Sequence, residues 1–334
     1  MYFTGSADEA LGEWLRVKDD LREGRSLQPQ PDADAVTVKY LCDAFLTAKE
    51  EGLNVGELSP LTWRSYRDCA EKLAEILGRT RRAAGVKPDE WRRLRMKLAK
   101  TRGPVSLKNE IQRVRTIWKW GYESGLLDVP MRFGPDFRGA SRKTLRLAKA
   151  EKGLKLLEAS DLWRLIDAAD VHMRAMIFLS LNCGYGNSDC GTLPLDRIDL
   201  KNGWATYHRP KTGVTRRCPL WPETIEALKA SLAKRPAPKA EGVEKLVFVT
   251  RCGASWAKAT EDNPIGKEFT KLLKSLGLHR SGVSFYVCRH VFRTIADGAR
   301  DQPAAGLIMG HADESMAANY RQRIDDERLV LRHR

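Results

Sequence analysis

Residues 284–320 read SFYVCRHVFRTIADGARDQPAAGLIMGHADESMAANY, and the first half of this stretch has the period of an α-helix. Its residues divide between two helical faces. One face is apolar and contains Phe285, Cys288, Phe292, Ile295 and Ala299, whereas the other contains Tyr286, Arg289, His290 and Arg293. Arginine offers a planar fork of hydrogen-bond donors and keeps its charge, so the second face could hold a phosphate. A merely solvated helix face has the same pattern.

The second half of the stretch places His311, which follows Gly310, nine positions before Tyr320 and 22 positions after Arg289. Taken singly, these residues have ordinary explanations. His311 could be a capping residue at a helix end, and Tyr320 could be a half-buried aromatic. The spacing of the three residues is therefore more informative than any one of them.

Earlier in the chain the period changes from helical to alternating. Residues 204–208 alternate as a strand does, residues 217–220 could form the partner strand, and Lys211 falls near the turn between them. This pattern predicts a β-hairpin. We also expect a buried helix at residues 173–181 and a further short strand at 246–250.

The order of these motifs resembles that of the tyrosine recombinases, the phage integrase family. The resemblance covers residues 36–330 and rests on Arg209-Pro210-Lys211-Thr212-Gly213, Arg289-His290, Gly310-His311 and Tyr320. It implies a mainly α-helical fold, in which an N-terminal helical bundle of the core-binding, SAM-like type precedes an α+β catalytic domain with a small antiparallel sheet. It also implies site-specific cutting and rejoining of DNA through a 3′-phosphotyrosyl intermediate.

The resemblance assigns a role to each motif residue. Tyr320 would be the nucleophile, Arg289 and His311 would donate to phosphate oxygens, and Lys211 would be the general acid. These roles meet physical needs, because a phenol with a pKa near 10 needs help in losing its proton and the extra charge on the phosphorus centre needs fixed donors. We expect no cofactor and no metal ion.

Two positions depart from the family pattern. Gly186 stands where the family has its first catalytic arginine, and Tyr286 replaces the usual histidine three residues before Arg289. Tyr286 could still donate a hydrogen bond to the phosphate. Arg293 or Arg209 could compensate for the missing arginine. A DNA-binding protein with impaired or lost catalysis is therefore an alternative, and an RNA-binding protein without chemistry ranks last because the aromatics fall mainly on apolar stripes.

The net charge of +15 points to a polyanionic partner. Residues 91–150 contain sixteen Lys and Arg against four Asp and Glu, so most of the excess lies in one block. Four helical patterns precede residue 127, and the fourth has a basic stripe beside its apolar one. We expect the partner to be double-stranded DNA, contacted through Lys108, Arg115, Lys119, Arg142 and Lys143.

The predicted organisation is an N-terminal appendage at 1–34, with a short helix at 8–22, a helical DNA-binding domain at 35–137, a basic linker at 138–157 and the catalytic domain at 158–334. The longest apolar run, near residues 175–181, is too short to span a bilayer, and the N-terminal residues do not resemble a secretory signal. The seven cysteines form no Cys-x-x-Cys pair, which favours reduced thiols in the cytoplasm. The family resemblance implies a homotetramer on DNA.

Overall fold

The structure, a computed structural model, describes residues 36–151, 153–258, 263–312 and 324–331. The chain divides into two compact units, Met1–Ser141 and Arg142–Arg334. The predicted appendage at 1–34, its short helix and Tyr320 lie outside the described residues. Among those that are described, no helix is long and apolar enough to cross a membrane.

The described residues of the first unit, 36–141, form four helices with well-defined starts. Thr37 and Ser59 cap the first and second helices by accepting hydrogen bonds from the backbone amides of Tyr40 and Thr62. A proline occupies the first turn of the second, third and fourth helices. The pattern of four helices predicted from the sequence is confirmed. The helices are α1 (Val38–Asn54), α2 (Pro60–Leu77), α3 (Pro88–Ala99) and α4 (Pro104–Glu123).

Aromatic packing holds the core of this unit together. The rings of Trp91 and Trp118 meet edge to face with centroids 4.8 Å apart, and the Trp118 indole donates a hydrogen bond to the carbonyl of Ala83 at 3.2 Å. Tyr122 has the spacing of the apolar stripe in the sequence of α4, but it is 41% exposed because it falls in the last turn, beyond the packed part of the helix.

A short helix lies within the segment predicted as a basic linker, residues 138–157. This helix, α5 (Arg142–Glu151), has no buried residue. Its lack of a buried face fits a connecting role, and the boundaries of the linker stay a prediction.

The second unit is built around a helix that is apolar on nearly every side. Asp170 caps α7 by accepting from the amides of His172 and Met173, and most of the helix is buried against α9 and α11. The predicted buried helix is confirmed. Besides α5, the helices and strands that the described residues of this unit form are α6 (Ala159–Ala168), α7 (Val171–Cys183), α8 (Asn187–Gly191), β1 (Ile198–Asp199), β2 (Trp204–His208), β3 (Thr215–Pro219), α9 (Pro222–Ala233), α10 (Pro264–Ser275), α11 (Tyr286–Gly298), α12 (Gln302–Met309) and α13 (Asp326–Leu331).

A small antiparallel sheet with strand order β1-β2-β3 accompanies these helices. The predicted hairpin is confirmed, since β2 pairs with β3 in a register that sets His208 opposite Thr215 and Trp204 opposite Pro219. The strand predicted at 246–250 is wrong as an extended element. That segment makes only single bridges, from Leu246 to Pro194 and from Val249 to Ser255.

Helix α11 is buried over a different arc from the one its sequence predicts. Ile295 was placed on the core face but is 71% exposed, and Arg289 was placed on the polar face but is only 2% exposed. The reason is that α11 packs against both α7 and α12, so its buried surface extends around to the arginine. The fold class predicted from the sequence, mainly helical with a small sheet, is confirmed.

Candidate active site

A sharp turn between α7 and α8 forms one wall of the candidate site. Gly184 ends α7 in the left-handed conformation with φ of 62°, and Gly186 then caps α8. The amide of Gly186 donates to a carboxylate oxygen of Asp189 at 2.7 Å, which closes the turn. The glycine at 186 therefore lies at a helix start, with its backbone fixed by a buried acidic side chain.

Arg289 ties this turn to the end of α12. Its guanidinium donates to the carbonyl of Gly184, to the carbonyl of Met309 at 3.1 Å and to Nε2 of His311 at 3.1 Å. Burial lowers the pKa of this guanidinium, and the nearby charge of Arg209 lowers it further. The side chain predicted to face a phosphate is thus buried and engaged in holding three parts of the site together.

The contact with Arg289 decides which nitrogen of His311 carries a proton. A guanidinium can only donate, so Nε2 of His311 must accept, and the neutral imidazole keeps its proton on Nδ1. Partial burial and then the charge of Arg289 lower the pKa of His311, which favours this neutral form. His311 is exposed, and its Nδ1–H is the donor it can offer to a ligand.

The hairpin turn that contains Lys211 docks on the end of α12. The hydroxyl of Thr212 donates to the carbonyl of Gly310 at 2.9 Å, and the guanidinium of Arg209 approaches the same oxygen at 3.4 Å. Gly310 has φ of 65°, and a Cβ on it would lie 2.7 Å from Cδ of Arg216. Only glycine permits this close approach, which explains in physical terms why a glycine precedes His311.

A buried ion pair lies beneath the turn. Arg216 is fully buried, donates to a carboxylate oxygen of Asp189 at 3.1 Å and lies over the ring of Tyr185 with 4.2 Å between its guanidinium carbon and the ring centroid. The sequence interpretation missed both charged residues. The strand period could have indicated the burial of Arg216, because it lies two residues before the buried Cys218 and therefore on the same face of β3, opposite Tyr207 of β2.

These elements enclose a pocket of about 550 Å³. Gly186, Lys211 and Tyr286, three positions singled out from the sequence, all line it. Arg209 lines it as well, whereas the buried Arg289 does not. The described residues of the lining are Gly186, Asn187, Ser188, Asp189, Arg209, Pro210, Lys211, Asn263, Ser284 and Tyr286. The lining combines two cations with hydroxyl and amide side chains, which suit a phosphate group, and it also includes the carboxylate of Asp189.

Comparison with known proteins identifies the fold and the family. Residues 150–327, more than half of the chain, match the phage integrase family. The chain belongs to that family. The integrase of the Tn1549 transposon, solved with circular intermediate DNA, is similar to it with a TM-score of 0.63 and 15% identity, covering 89% of this chain and 99% of that one.

A lambda integrase tetramer bound to a Holliday junction is similar with a TM-score of 0.62 and 15% identity, covering 98% of this chain and 91% of that one. At these identities the two integrase structures bear on the fold alone. Comparison with curated proteins gave no match. The family assignment therefore rests on the match to residues 150–327 and on the motifs that they contain.

For an integrase family member, the pocket is unusual on one side. A Cβ added to Gly186 would lie 3.2 Å from Cε2 of Tyr286 and 3.4 Å from the Asp189 carboxylate. Tyr286 is 41% exposed, and its ring fills space that a side chain at 186 would enter. The two departures from the family pattern are therefore neighbours in space. Among the described residues, no group of three or more His, Cys, Asp or Glu side chains is arranged to hold a metal ion.

Four of the five predicted DNA-binding residues have exposed side chains. Lys108 and Lys119 are exposed on α4, and Arg142 and Lys143 are exposed on α5. Arg115 differs, because its guanidinium donates to the carbonyl of Phe137 at 2.5 Å and lies 4.7 Å from the centroid of the Phe133 ring. The basic stripe of α4 thus has two exposed lysines and one arginine that is engaged within the unit.

Proposed function

We propose that this protein is a site-specific DNA recombinase that cuts and rejoins double-stranded DNA through a 3′-phosphotyrosyl intermediate at Tyr320. The observation that carries the proposal is the docking of the Lys211 turn on Gly310, the residue before His311, beside a pocket lined by cations. Tyr320 follows His311 by nine residues, so the proposed nucleophile is close in sequence to the Gly310-His311 pair.

The chemistry needs one bond to form as another breaks. The phenolate oxygen of Tyr320 attacks the phosphorus of a DNA phosphodiester, and the bond from phosphorus to the 5′-oxygen breaks. Lys211, on the pocket wall, gives its proton to that oxygen, so a free 5′-hydroxyl leaves. Attack by a 5′-hydroxyl of a second strand reverses these steps and releases the tyrosine.

The neighbouring residues have supporting roles. Nδ1–H of His311 donates to a non-bridging phosphate oxygen, and Arg289 holds the imidazole in the tautomer that allows this. Tyr286 offers its hydroxyl to the phosphate from the facing wall. Fixed donors of this kind stabilise charge that develops in the transition state, because they need no reorganisation during the reaction.

Trapping of the covalent intermediate tests this function. The probe is a pool of duplexes with randomised sequence around a nick, placed so that cleavage near the nick releases a short 5′-hydroxyl fragment that diffuses away. We expect complexes that resist detergent, and sequencing of the attached DNA identifies the site. Tyr320→Phe should bind DNA with unchanged affinity but form no complex. Complexes that persist in Tyr320→Phe would contradict the assignment of the nucleophile.

A second candidate function is DNA binding on the same scaffold without strand transfer. The burial of Arg289 and the missing side chain at Gly186 favour it, since both reduce the donors available to a phosphate. Loss of one such donor lowers rates by about 10²–10³-fold. This candidate predicts sequence-specific binding from the same pool with no covalent complex at any incubation time.

DNA affinity is proposed to depend on the exposed lysines of α4 and on α5. Neutralising Lys108 and Lys119 together should flatten the slope of log affinity against log salt by up to about 0.9 for each phosphate contact that is lost. An unchanged slope would mean that these lysines face solvent in the complex. Arg115→Ala should instead lower the stability of the first unit, because its guanidinium packs on Phe133.

We further propose that the protein acts as a homotetramer on DNA, in line with the lambda integrase tetramer. Mass measurement of the protein with and without the selected duplex tests this. A monomeric complex on a duplex that is nevertheless cleaved would contradict it.

A further inference from the structure

We propose that Arg209 is a catalytic residue that supplies the guanidinium for the transferring phosphate, in place of a side chain at position 186. This inference rests on the proposed function. Its basis is the wall of the pocket, to which Arg209 and Lys211 are the only cations that the described residues contribute.

The other arginines near the site are engaged elsewhere. Arg289 is 2% exposed and donates to two carbonyls and to His311. Arg216 is fully buried against Asp189. Arg293 is paired with Asp297 at 2.8 Å and with the side-chain oxygen of Gln302. None of the three has a guanidinium free to turn toward a ligand in the pocket.

Arg209 differs in its partners. Its guanidinium makes one long hydrogen bond, at 3.4 Å, to the carbonyl of Gly310, and no carboxylate lies within ion-pair distance of it among the described residues. It is partly exposed and lines the pocket. After burial, its charge is among the causes that lower the pKa of both Arg289 and His311. An anion in the pocket would relieve this repulsion.

The hairpin turn fixes Arg209 relative to Lys211. The amide of Arg209 donates to the carbonyl of Val214 at 2.8 Å, and the amide of Gly213 donates back to the carbonyl of Arg209 at 2.8 Å. The guanidinium and the ammonium therefore belong to one closed turn with different tasks. Arg209 would hold the non-bridging oxygens with its planar fork, and Lys211 would protonate the leaving 5′-oxygen.

The opposite wall leaves room for this arrangement. Gly186 has φ of −96°, which any residue adopts, so its backbone does not demand glycine. The neighbouring ring of Tyr286, 3.2 Å from the position of an added Cβ, does restrict what can stand there. An arginine introduced at 186 would have to displace that ring, whereas Arg209 reaches the same pocket from the hairpin.

Binding of inorganic phosphate tests the inference without requiring any cleavage. Titration calorimetry should give about 10- to 100-fold weaker phosphate binding for Arg209→Ala than for the natural protein, the usual effect of losing charge-assisted hydrogen bonds. Arg217→Ala, on the same hairpin but paired with Asp326, controls for the loss of one positive charge. Equal phosphate affinity in Arg209→Ala and Arg217→Ala would overturn the inference. Phosphate binding that depends on Arg209 in a protein that never forms a covalent complex would uphold Arg209 as the phosphate-binding residue of the pocket and refute the proposed function instead.

Cleavage of a methylphosphonate gives the second readout. In the selected duplex, a methyl group replaces one non-bridging oxygen of the scissile phosphate and removes its negative charge. Arg209→Ala should cleave the natural phosphodiester about 10²–10³-fold more slowly, and the methylphosphonate should remove most of that difference. A merely structural role of Arg209 would slow both substrates equally and would overturn the inference. Arg293→Ala tests the competing arginine, and a larger defect in that variant than in Arg209→Ala would also overturn it.

Discussion

Replacing Asp189 by alanine removes the carboxylate that the guanidinium of Arg216 contacts at 3.1 Å beneath the pocket. The Arg216 side chain is fully buried and the Asp189 side chain is 8% exposed. One amino group of Arg216 already lacks a partner among the described residues, so the variant would leave both amino groups unpaired. Removing one partner of a buried ion pair costs about 3–5 kcal/mol, because the remaining charge stays in a medium of low polarity.

The adjacent residue on β3 offers a matched control. Arg217 pairs with Asp326 at 2.6 Å, but the two side chains are 39% and 47% exposed. Water screens such a pair, so Asp326→Ala should cost no more than about 1 kcal/mol. Each variant removes an aspartate from one of two arginines that are neighbours in sequence. The two pairs differ in burial, and Asp189 also accepts a hydrogen bond from the amide of Gly186.

Thiol labelling against urea measures each unit separately. The buried Cys288 reports unfolding of the second unit, and the buried Cys69 reports unfolding of the first. Asp189→Ala should lower the urea midpoint for Cys288 much more than Asp326→Ala does. If the two variants shift that midpoint equally, the buried pair does not stabilise the site as described.

Three further predictions concern other parts of the fold. In the native protein only Cys252 should react quickly with iodoacetamide, because the other six thiols are buried, and a second fast thiol detected by peptide mapping would contradict the packing. Gly310→Ala should lower the free energy of unfolding by about 1–3 kcal/mol through left-handed strain and the clash with Arg216, whereas Gly298→Ala, with open space around it, should not destabilise. Burial gives folded His311 a pKa below the ordinary 6.5, so the unfolded chain binds more protons, and the free energy of unfolding should fall as the pH drops below about 6.5. His311→Gln should weaken this dependence on pH. An unchanged profile of stability against pH in that variant would contradict the lowered pKa.

Local patterns predicted the fold well because they depend on neighbours in sequence. The helical periods before residue 127, the alternation of β2 and the glycine turn after Lys211 each have a cause within a few residues. The glycine before His311 was likewise visible as a helix end. Patterns of this kind gave the four N-terminal helices, the hairpin and the fold class.

Long-range packing explains what the sequence did not predict. Arg289 is buried because α11 packs against both α7 and α12, a fact that helical periodicity within α11 cannot contain. Ile295 lies outside the buried arc of the same helix and is 71% exposed. The Asp189–Arg216 pair joins residues 27 positions apart, and the engagement of Arg115 with Phe137 joins residues 22 apart. From the sequence, charged side chains were assigned to solvated helix faces or to ligand contacts. Several of them instead make buried contacts within their own unit.

The attachment point of the DNA tests the central claim most directly. The covalent complex trapped with the selected nicked duplex is digested with protease and nuclease, and the nucleotide-bearing peptide is sequenced by mass spectrometry. We predict one modified peptide, in which Tyr320 carries a nucleotide linked through its 3′-phosphate. A nucleotide on any other residue, or a linkage through a 5′-phosphate, would contradict the account.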